Sequence, residues 1–510
     1  MSGFVEPNIG SMLWSMARCR GVSPALVERG CAFTYAGVRD RAAAIATTLV
    51  GVGLQPNDRV AVLLENGVDA VAAFFGALAA GGIAVLVNEV LRPRQLLQML
   101  ADSGATLVLT STTLPAAQAL APETGARMLL VEAIPAAGDF VPVRRLGADP
   151  AQIIYTSGST GPPKGVTVTH ANLWASTQSV TSYLGITATD RIAGLLPFSF
   201  VYGMSQVLCA LGTGATLVVE RSPLAGQLAT ALRTQRVTVL AAVPPLWLQL
   251  LGAPAFRSGP LPDLRIMTNA GGRLPVAAVQ ALRQAQPHAQ LFLMYGLTEA
   301  LRCTYLPPEE VDRRPDSIGR AIPGAEVWVL RDDLVPCAPD EVGELVYRGP
   351  TVALGYWNDP EATARVFRPH PLRPPGVPDG ERVVFTGDIV RRDGDGFLYY
   401  VGRRDRMIKT LGYRVSPDEV SEVIFSSGEV ADCVVVAEPD ELRGQRIVAH
   451  TVLAPGGSLN RLKQYCGIEL PRYMQPTRFE LCDDLPRLPN GKHDLAAIRA
   501  TAAPSHGVPG

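Results

Sequence analysis

Residues 153–170 read IIYTSGSTGPPKGVTVTH. A short apolar run, Ile153 to Tyr155, reads as a strand. It delivers the chain into Thr156, Ser157, Gly158, Ser159, Thr160 and Gly161, with Lys164 just beyond. Hydroxyls and glycine amides at this density can wrap an anion, because small residues let backbone N–H groups close on its oxygens. Lys164 adds a compact, flexible point charge. The stretch is not a Walker A loop: GxxxxGK[ST] does not fit, and Pro162-Pro163 forbids a helix starting there.

On either side of this loop, helix and strand signals alternate. Residues 35–50 read as an amphipathic helix and 59–64 as a strand. Short strand-like runs follow at 106–110, 127–131, 216–220 and 237–243, with helices at 228–235 and 276–284. Alternation of this kind predicts α/β layers with largely parallel sheets. The uncharged residues 70–87 approach the length of a membrane span. Gly81-Gly82 divides them into a buried helix and a buried strand, so no span is expected. From Ile322 the pattern changes to short strands and turns, at 326–330 and 343–347, and 369–379 is a Pro-rich surface loop. A second unit begins near Arg403. It has a helix at 416–426 capped by Ser416, strands at 430–438 and 446–453, and a helix at 459–466.

The 510 residues carry 46 basic and 47 acidic side chains, a formal charge of −1. That balance offers no footprint for nucleic acid or an anionic membrane. Eight cysteines, no two closer than twelve residues, give neither a CxxC pair nor a dense disulfide framework. With no secretory signal in MSGFVEPNIG, a cytoplasmic location is expected. Only four of the 46 basic residues are lysine: Lys164, Lys409, Lys463 and Lys492. In a chain biased towards arginine, a surviving lysine marks a position to inspect.

The string YTSGSTGPPKG resembles the phosphate-loop signature of the adenylate-forming superfamily, which holds acyl-CoA synthetases, peptide-synthetase adenylation domains and luciferases. Further blocks resemble that family in its order: Tyr295-Gly296-Leu297-Thr298-Glu299, Thr386-Gly387-Asp388, Gly402-Arg403-Arg404-Asp405, Ile408-Lys409 with Gly412-Tyr413-Arg414, and Leu488-Pro489-Asn490-Gly491-Lys492. The chain is most like a bacterial stand-alone acyl-CoA ligase. The resemblance implies an α/β fold with a large N-terminal domain, 1–402, of layered α/β subdomains plus a small β-rich subdomain. A small mobile α+β C-terminal domain, 403–510, follows.

It also implies a reaction and roles. A carboxylic acid is joined to the α-phosphate of ATP, pyrophosphate leaves, and a thiol then displaces AMP. Two anions must meet in the first step, so charge neutralisation and positioning matter more than a side-chain nucleophile. Thr156, Ser157, Gly158, Thr160, Gly161 and Lys164 would hold the β- and γ-phosphates. Glu299 would anchor Mg²⁺, a hard ion suited to one carboxylate plus phosphates, with Thr298 near the α-phosphate. Asp388 and Arg403 would take the ribose, and Gly271, Gly272 and Tyr295 the adenine. Lys492 would reach the substrate carboxylate during adenylation. Asp405 matches the hinge position. The rotated face, with Lys409, Gly412, Tyr413 and Arg414, would border the thiol tunnel for coenzyme A.

Two departures bear on the substrate. Phe200 stands where relatives often have histidine, so it can gate but not titrate. Val201 and Tyr202 offer no charge where amino-acid-activating relatives place aspartate, and a buried ammonium without a partner is costly. A non-amino carboxylic acid is therefore expected, in an apolar pocket of Phe200, Val201, Met204 and Trp247; the last two could equally be ordinary core. Arg273, beside the adenine slot, could stack on a base, face solvent or narrow the slot. The acceptor is coenzyme A in this reading. The alternatives are a separate acyl carrier protein, a paralogue that keeps one half-reaction, and a regulatory binder.

Overall fold

The uncharged stretch near membrane-span length folds as helix Val68–Ala79, a turn in which Gly81 takes φ +88°, and strand Ile83–Val87. Only glycine adopts that φ without a Cβ clash, so the turn is sharp enough to lay the strand back against its own helix. Both segments are buried almost throughout because the strand lies inside a sheet covered on both faces, where apolar runs replace alternation. No helix among the described residues is long and apolar enough to cross a membrane. The structure, a computed structural model, describes residues 8–91, 93–114, 125–156, 163–222, 224–378, 380–404, 406–410, 413–440, 444–489 and 491–501.

Three sheets organise the chain. The first has seven strands, ordered Gly355–Tyr356, Lys164–Thr169, Pro150–Thr156, Ile83–Val87, Arg59–Leu63, Leu107–Thr110 and Arg127–Leu130. Its core pairings are parallel, whereas Pro150–Thr156 and Lys164–Thr169 pair antiparallel with Thr156 opposite Lys164. Thr156 at the start of the phosphate-loop sequence and Lys164 at its end thus face each other across this pair.

The second sheet has fourteen strands. Its parallel half runs through Pro24–Glu28, Thr216–Val219, Arg191–Gly194, Val239–Ala242, Ile266–Asn269 and Gln290–Tyr295. Thr304–Leu306 and Ser317–Ala321 then pair antiparallel and continue into Leu398–Arg403, Arg382–Arg392, Val342–Arg348 and Glu326–Leu330. The β-rich region expected as a subdomain is therefore joined strand by strand to the α/β layer. Helices such as Val68–Ala79, with Phe74 and Phe75 fully buried, fill the main core between the layers.

The C-terminal unit has a five-stranded sheet built around Gly444–Leu453 and Val430–Asp440. Helices Pro417–Ser426 and Leu459–Glu469 close a core of its own, including Val420, Ile424, Ile447 and Leu462. The Ser416 side chain accepts from the Glu419 N–H, the cap its sequence predicts.

Candidate active site

Antiparallel register explains how two distant motifs meet. Asp388 on Arg382–Arg392 lies directly opposite Arg403, the last residue of Leu398–Arg403. Asp388 is 5% exposed; its Oδ2 accepts the Tyr295 hydroxyl, and Arg403 Nη1 lies 3.2 Å from its Oδ1. That Oδ1 is sealed from solvent and accepts no hydrogen bond among the described residues. Burial raises the Asp388 pKa, against the pull of Arg403, Tyr295 and Lys492. A buried carboxylate with one unused oxygen beside an arginine is the donor set a pair of vicinal hydroxyls would complete.

Tyr295 ends strand Gln290–Tyr295, and burial beside Asp388 raises its phenol far above the usual value. The chain then turns through Thr298–Ala300, a single 3-10 turn that leaves Thr298 and Glu299 half-buried. Glu299 Oε1 accepts the Tyr356 hydroxyl at 2.5 Å, and its Oε2 takes no hydrogen bond among the described residues. No group of three metal-ligating side chains occurs among the described residues. A cation here would rest on Glu299 and on oxygens brought by a substrate.

Lys164 pairs with Asp359 Oδ2 at 3.1 Å and lies 5.3 Å from the Tyr356 ring centroid. Thr156 Oγ1 donates to the Lys164 carbonyl at 3.4 Å. Tyr356 therefore links the Lys164 and Glu299 clusters, a role that sequence reading missed along with Asp359. The only signal was Gly355-Tyr356 in a short polar run. Ser157, Gly158, Thr160, Gly161, Asp405 and Gly412 lie outside the described residues. Lys409, Tyr413 and Arg414 fall on the paired strands Ile408–Thr410 and Tyr413–Val415, with their side chains outside the description.

Lys492 comes from the C-terminal unit yet senses the charges of Asp388, Glu299, Arg403 and Arg406. Lys492 is itself exposed to solvent. The protein packed around it and the two arginines lower its pKa, while the two carboxylates oppose that shift. The preceding Gly491 packs near Val243 and Pro245 of the large domain. Gly271 and Gly272 follow strand Ile266–Asn269 and abut Val243 and Pro244, so the same loop borders both the glycine pair and the lysine.

The sequence leaves three roles open for Arg273, and the structure gives it a further neighbour. It points at the C-terminal unit, with Nε 3.8 Å from Glu422 Oε2, and the Val276 N–H donates to Glu422 Oε1 at 3.2 Å. Phe200 is the N-cap residue of helix Val201–Thr213, and Val201 is half-buried at its start. Met204 is 2% exposed in the main core. Trp247 does not join them: it is fully buried in a second core, packed with Phe256 at a ring-centroid distance of 6.3 Å.

Residues 13–357 match the AMP-binding enzyme family and residues 419–492 the AMP-binding enzyme C-terminal domain, and the chain belongs to that family, the adenylate-forming ligases. It is 34% identical to novobiocin biosynthesis protein H of Streptomyces niveus, over 95% of this chain and 81% of that protein. It is 31% identical to the L-proline–[L-prolyl-carrier protein] ligase of Pseudomonas fluorescens, over 96% and 97%. The O-succinylbenzoate coenzyme A synthetase of Bacillus subtilis, solved with ATP and magnesium ion, superposes with a TM-score of 0.84 at 28% identity, over 95% and 98%. Other relatives are far longer; the chain spans 7% of tyrocidine synthase 3 of Brevibacillus parabrevis.

Proposed function

We propose that the chain activates a non-amino carboxylic acid with ATP and passes the acyl group to the thiol of coenzyme A. In the first step an oxygen of the acid bonds to the α-phosphorus of ATP as the bond to pyrophosphate breaks. In the second, the thiol sulfur bonds to the acyl carbon and AMP leaves. The observation that supports the reading is that Lys492 of the C-terminal unit feels the charges of Asp388 and Glu299. An ammonium placed there offsets the repulsion between the acid and the α-phosphate, which is the main barrier to bringing them together.

Asp388 and Arg403 would hold the ribose, with Tyr295 and the Gly271-Gly272 turn beside the base. Thr156, Ser157, Gly158, Thr160, Gly161 and Lys164 would bind the β- and γ-phosphates, with Thr298 near the α-phosphate. Glu299 would hold Mg²⁺, which when bound neutralises phosphate charge. Phe200 and Val201 would face the acid. Rotation at Asp405 would withdraw Lys492 and present the strands bearing Lys409, Tyr413 and Arg414 for the thiol step.

Carboxylate-dependent ATP–pyrophosphate exchange tests the first step, and product formation with coenzyme A or with a phosphopantetheinylated carrier protein tests the second. Lys492→Ala should reduce exchange by about 100-fold or more, the scale of losing one charged transition-state contact. It should spare thiolysis of a supplied acyl-adenylate. Equal loss of both steps would refute the two-orientation assignment. Thioester formed on the carrier and not on coenzyme A would replace the acceptor and leave the adenylation chemistry standing.

A further inference from the structure

Just past Glu299 the backbone does something costly. Leu301 takes φ +55°, ψ −65°, and the Arg302 N–H donates to the Ala300 carbonyl at 2.6 Å. This is a three-residue γ-turn of the hand that L-residues disfavour, and such strain persists only where the surroundings impose it. Gly296 lies against the turn: a Cβ there would sit 2.7 Å from the Leu301 carbonyl oxygen and 3.0 Å from Arg302 Cα.

The turn drives a cation into the core. Arg302 is 3% exposed, and its guanidinium carbon lies 4.9 Å from the centroid of the Tyr202 ring. Tyr202 adjoins Val201 and stands two residues beyond Phe200. Among the described residues the guanidinium makes no ion pair and no hydrogen bond, and its Nε is sealed from solvent without a partner. Nearby groups are already committed. The Tyr202 hydroxyl bonds to Thr268, and the Tyr183 hydroxyl to Met294 Sδ at 3.0 Å. Burial pushes the Cys209 thiol up to about 12 and Cys303 higher still, so both stay neutral. A buried arginine with a sealed, unpartnered Nε and no anion is expensive, and one ring contact offsets only part of that.

We infer that Arg302 is a specificity-determining residue and that the preferred acid is a dicarboxylic acid, whose second carboxylate seats on the guanidinium. The inference rests on the adenylation reading above. A planar fork binds a carboxylate in two parallel hydrogen bonds, which an apolar acid tail cannot supply. A monoacid leaves the cation buried and unpaired, the situation in which a site discriminates most strongly. An amino acid would place a second cation beside it, which agrees with the missing aspartate at Val201.

The test is pyrophosphate exchange on matched pairs: benzoate with benzene-1,3-dicarboxylate, butanoate with butanedioate, and pentanoate with pentanedioate. The intact protein should favour a diacid over its monoacid partner by about tenfold or more in kcat/KM. Arg302→Met should collapse or invert that ratio, and Arg302→Lys should retain its sign at reduced size. A merely structural arginine would lower both members of a pair together. Should Arg302→Met not fold, the intact protein's ratios and titration calorimetry of the same acids on Arg302→Lys decide the matter. Equal or better use of monoacids by the intact protein overturns the inference and leaves adenylation standing. No exchange with any acid of either set overturns the adenylation reading and the inference with it.

Discussion

Replacing Glu422 should uncouple the two half-reactions. Glu422 lies on helix Pro417–Ser426 of the C-terminal unit and accepts the Val276 N–H at 3.2 Å, with Arg273 Nε 3.8 Å from its other oxygen. The Arg273 and Glu422 side chains are 24% and 18% exposed. A backbone bond to a charged acceptor contributes about 1.5–3 kcal/mol. Unit charges at that separation attract by about 4 kcal/mol at an effective dielectric of 20. Desolvation and side-chain ordering reduce such a pair to about 1 kcal/mol or less. Glu422→Ala should therefore cost the Lys492-in orientation about 2 kcal/mol, a shift of roughly 30-fold in its balance with any other orientation. Pyrophosphate exchange, which on the proposed function needs Lys492 in this orientation, should fall by up to that factor. Thiolysis of a supplied adenylate should be unchanged or faster. Arg273→Ala should move the same way by less, because the Val276 bond survives. Exchange within twofold of the parent, or equal loss of both half-reactions, would refute a role for this contact in domain orientation.

Two further outcomes test the site and the core. Asp388→Asn should raise the KM for ATP by tenfold or more, the scale of a charged hydrogen-bond acceptor. It should not lower the denaturation midpoint, because burial already disfavours the charged form. His170 is fully buried, neither ring nitrogen has a partner among the described residues, and burial with Arg145 nearby lowers its pKa to about 4. That value lies below the unfolded one, so the neutral ring favours folding above pH ~6.5, and this contribution is lost as pH falls towards 4. About 3 kcal/mol is at stake at 1.36 kcal/mol per pKa unit. Urea titration at pH 7 and pH 4.5 should show a smaller acid loss for His170→Leu than for the parent; equal losses would remove His170 from the account.

Motif chemistry was far more legible in the sequence than the contacts between motifs. Asp388 and Arg403 belong to separate strings, and only antiparallel register makes them neighbours. Gly81-Gly82 divided residues 70–87 correctly into a buried helix and a buried strand, because a glycine turn acts locally. Tyr356 and Asp359 escaped notice because tyrosine and aspartate in a short polar run are ordinary surface chemistry until folding sets them beside Glu299 and Lys164. Trp247 shows the converse. Its size and hydrophobicity suit a pocket or a core equally, and only the second cluster around Phe256 separates the two. Arg273 could not be placed because its partner lies on another folding unit, and no local pattern encodes a contact between two units. Arg302 was invisible for a similar reason: sequence shows an arginine, while its lack of an anion is a property of the folded surroundings.

The scarcity of lysine gains a physical reading from these placements. Of the cations around the site, Arg403 faces a fixed protein carboxylate, and its planar fork suits a partner that does not move. Lys164 and Lys492 face different demands. Lys164 is held by Asp359 and can exchange that partner for an incoming anion without reorienting a plane. Lys492 feels two carboxylates and two arginines at once, and the proposed rotation of the C-terminal unit would take it away from them. A compact ammonium with three rotatable donors tolerates such exchange better than a guanidinium that needs coplanar acceptors. Lys463 lies 6.0 Å from the Phe479 ring on an exposed helix, where either cation would serve. Around this site, then, an arginine stands at the ion pair with buried Asp388, and lysines stand at the two positions proposed to meet an incoming anion.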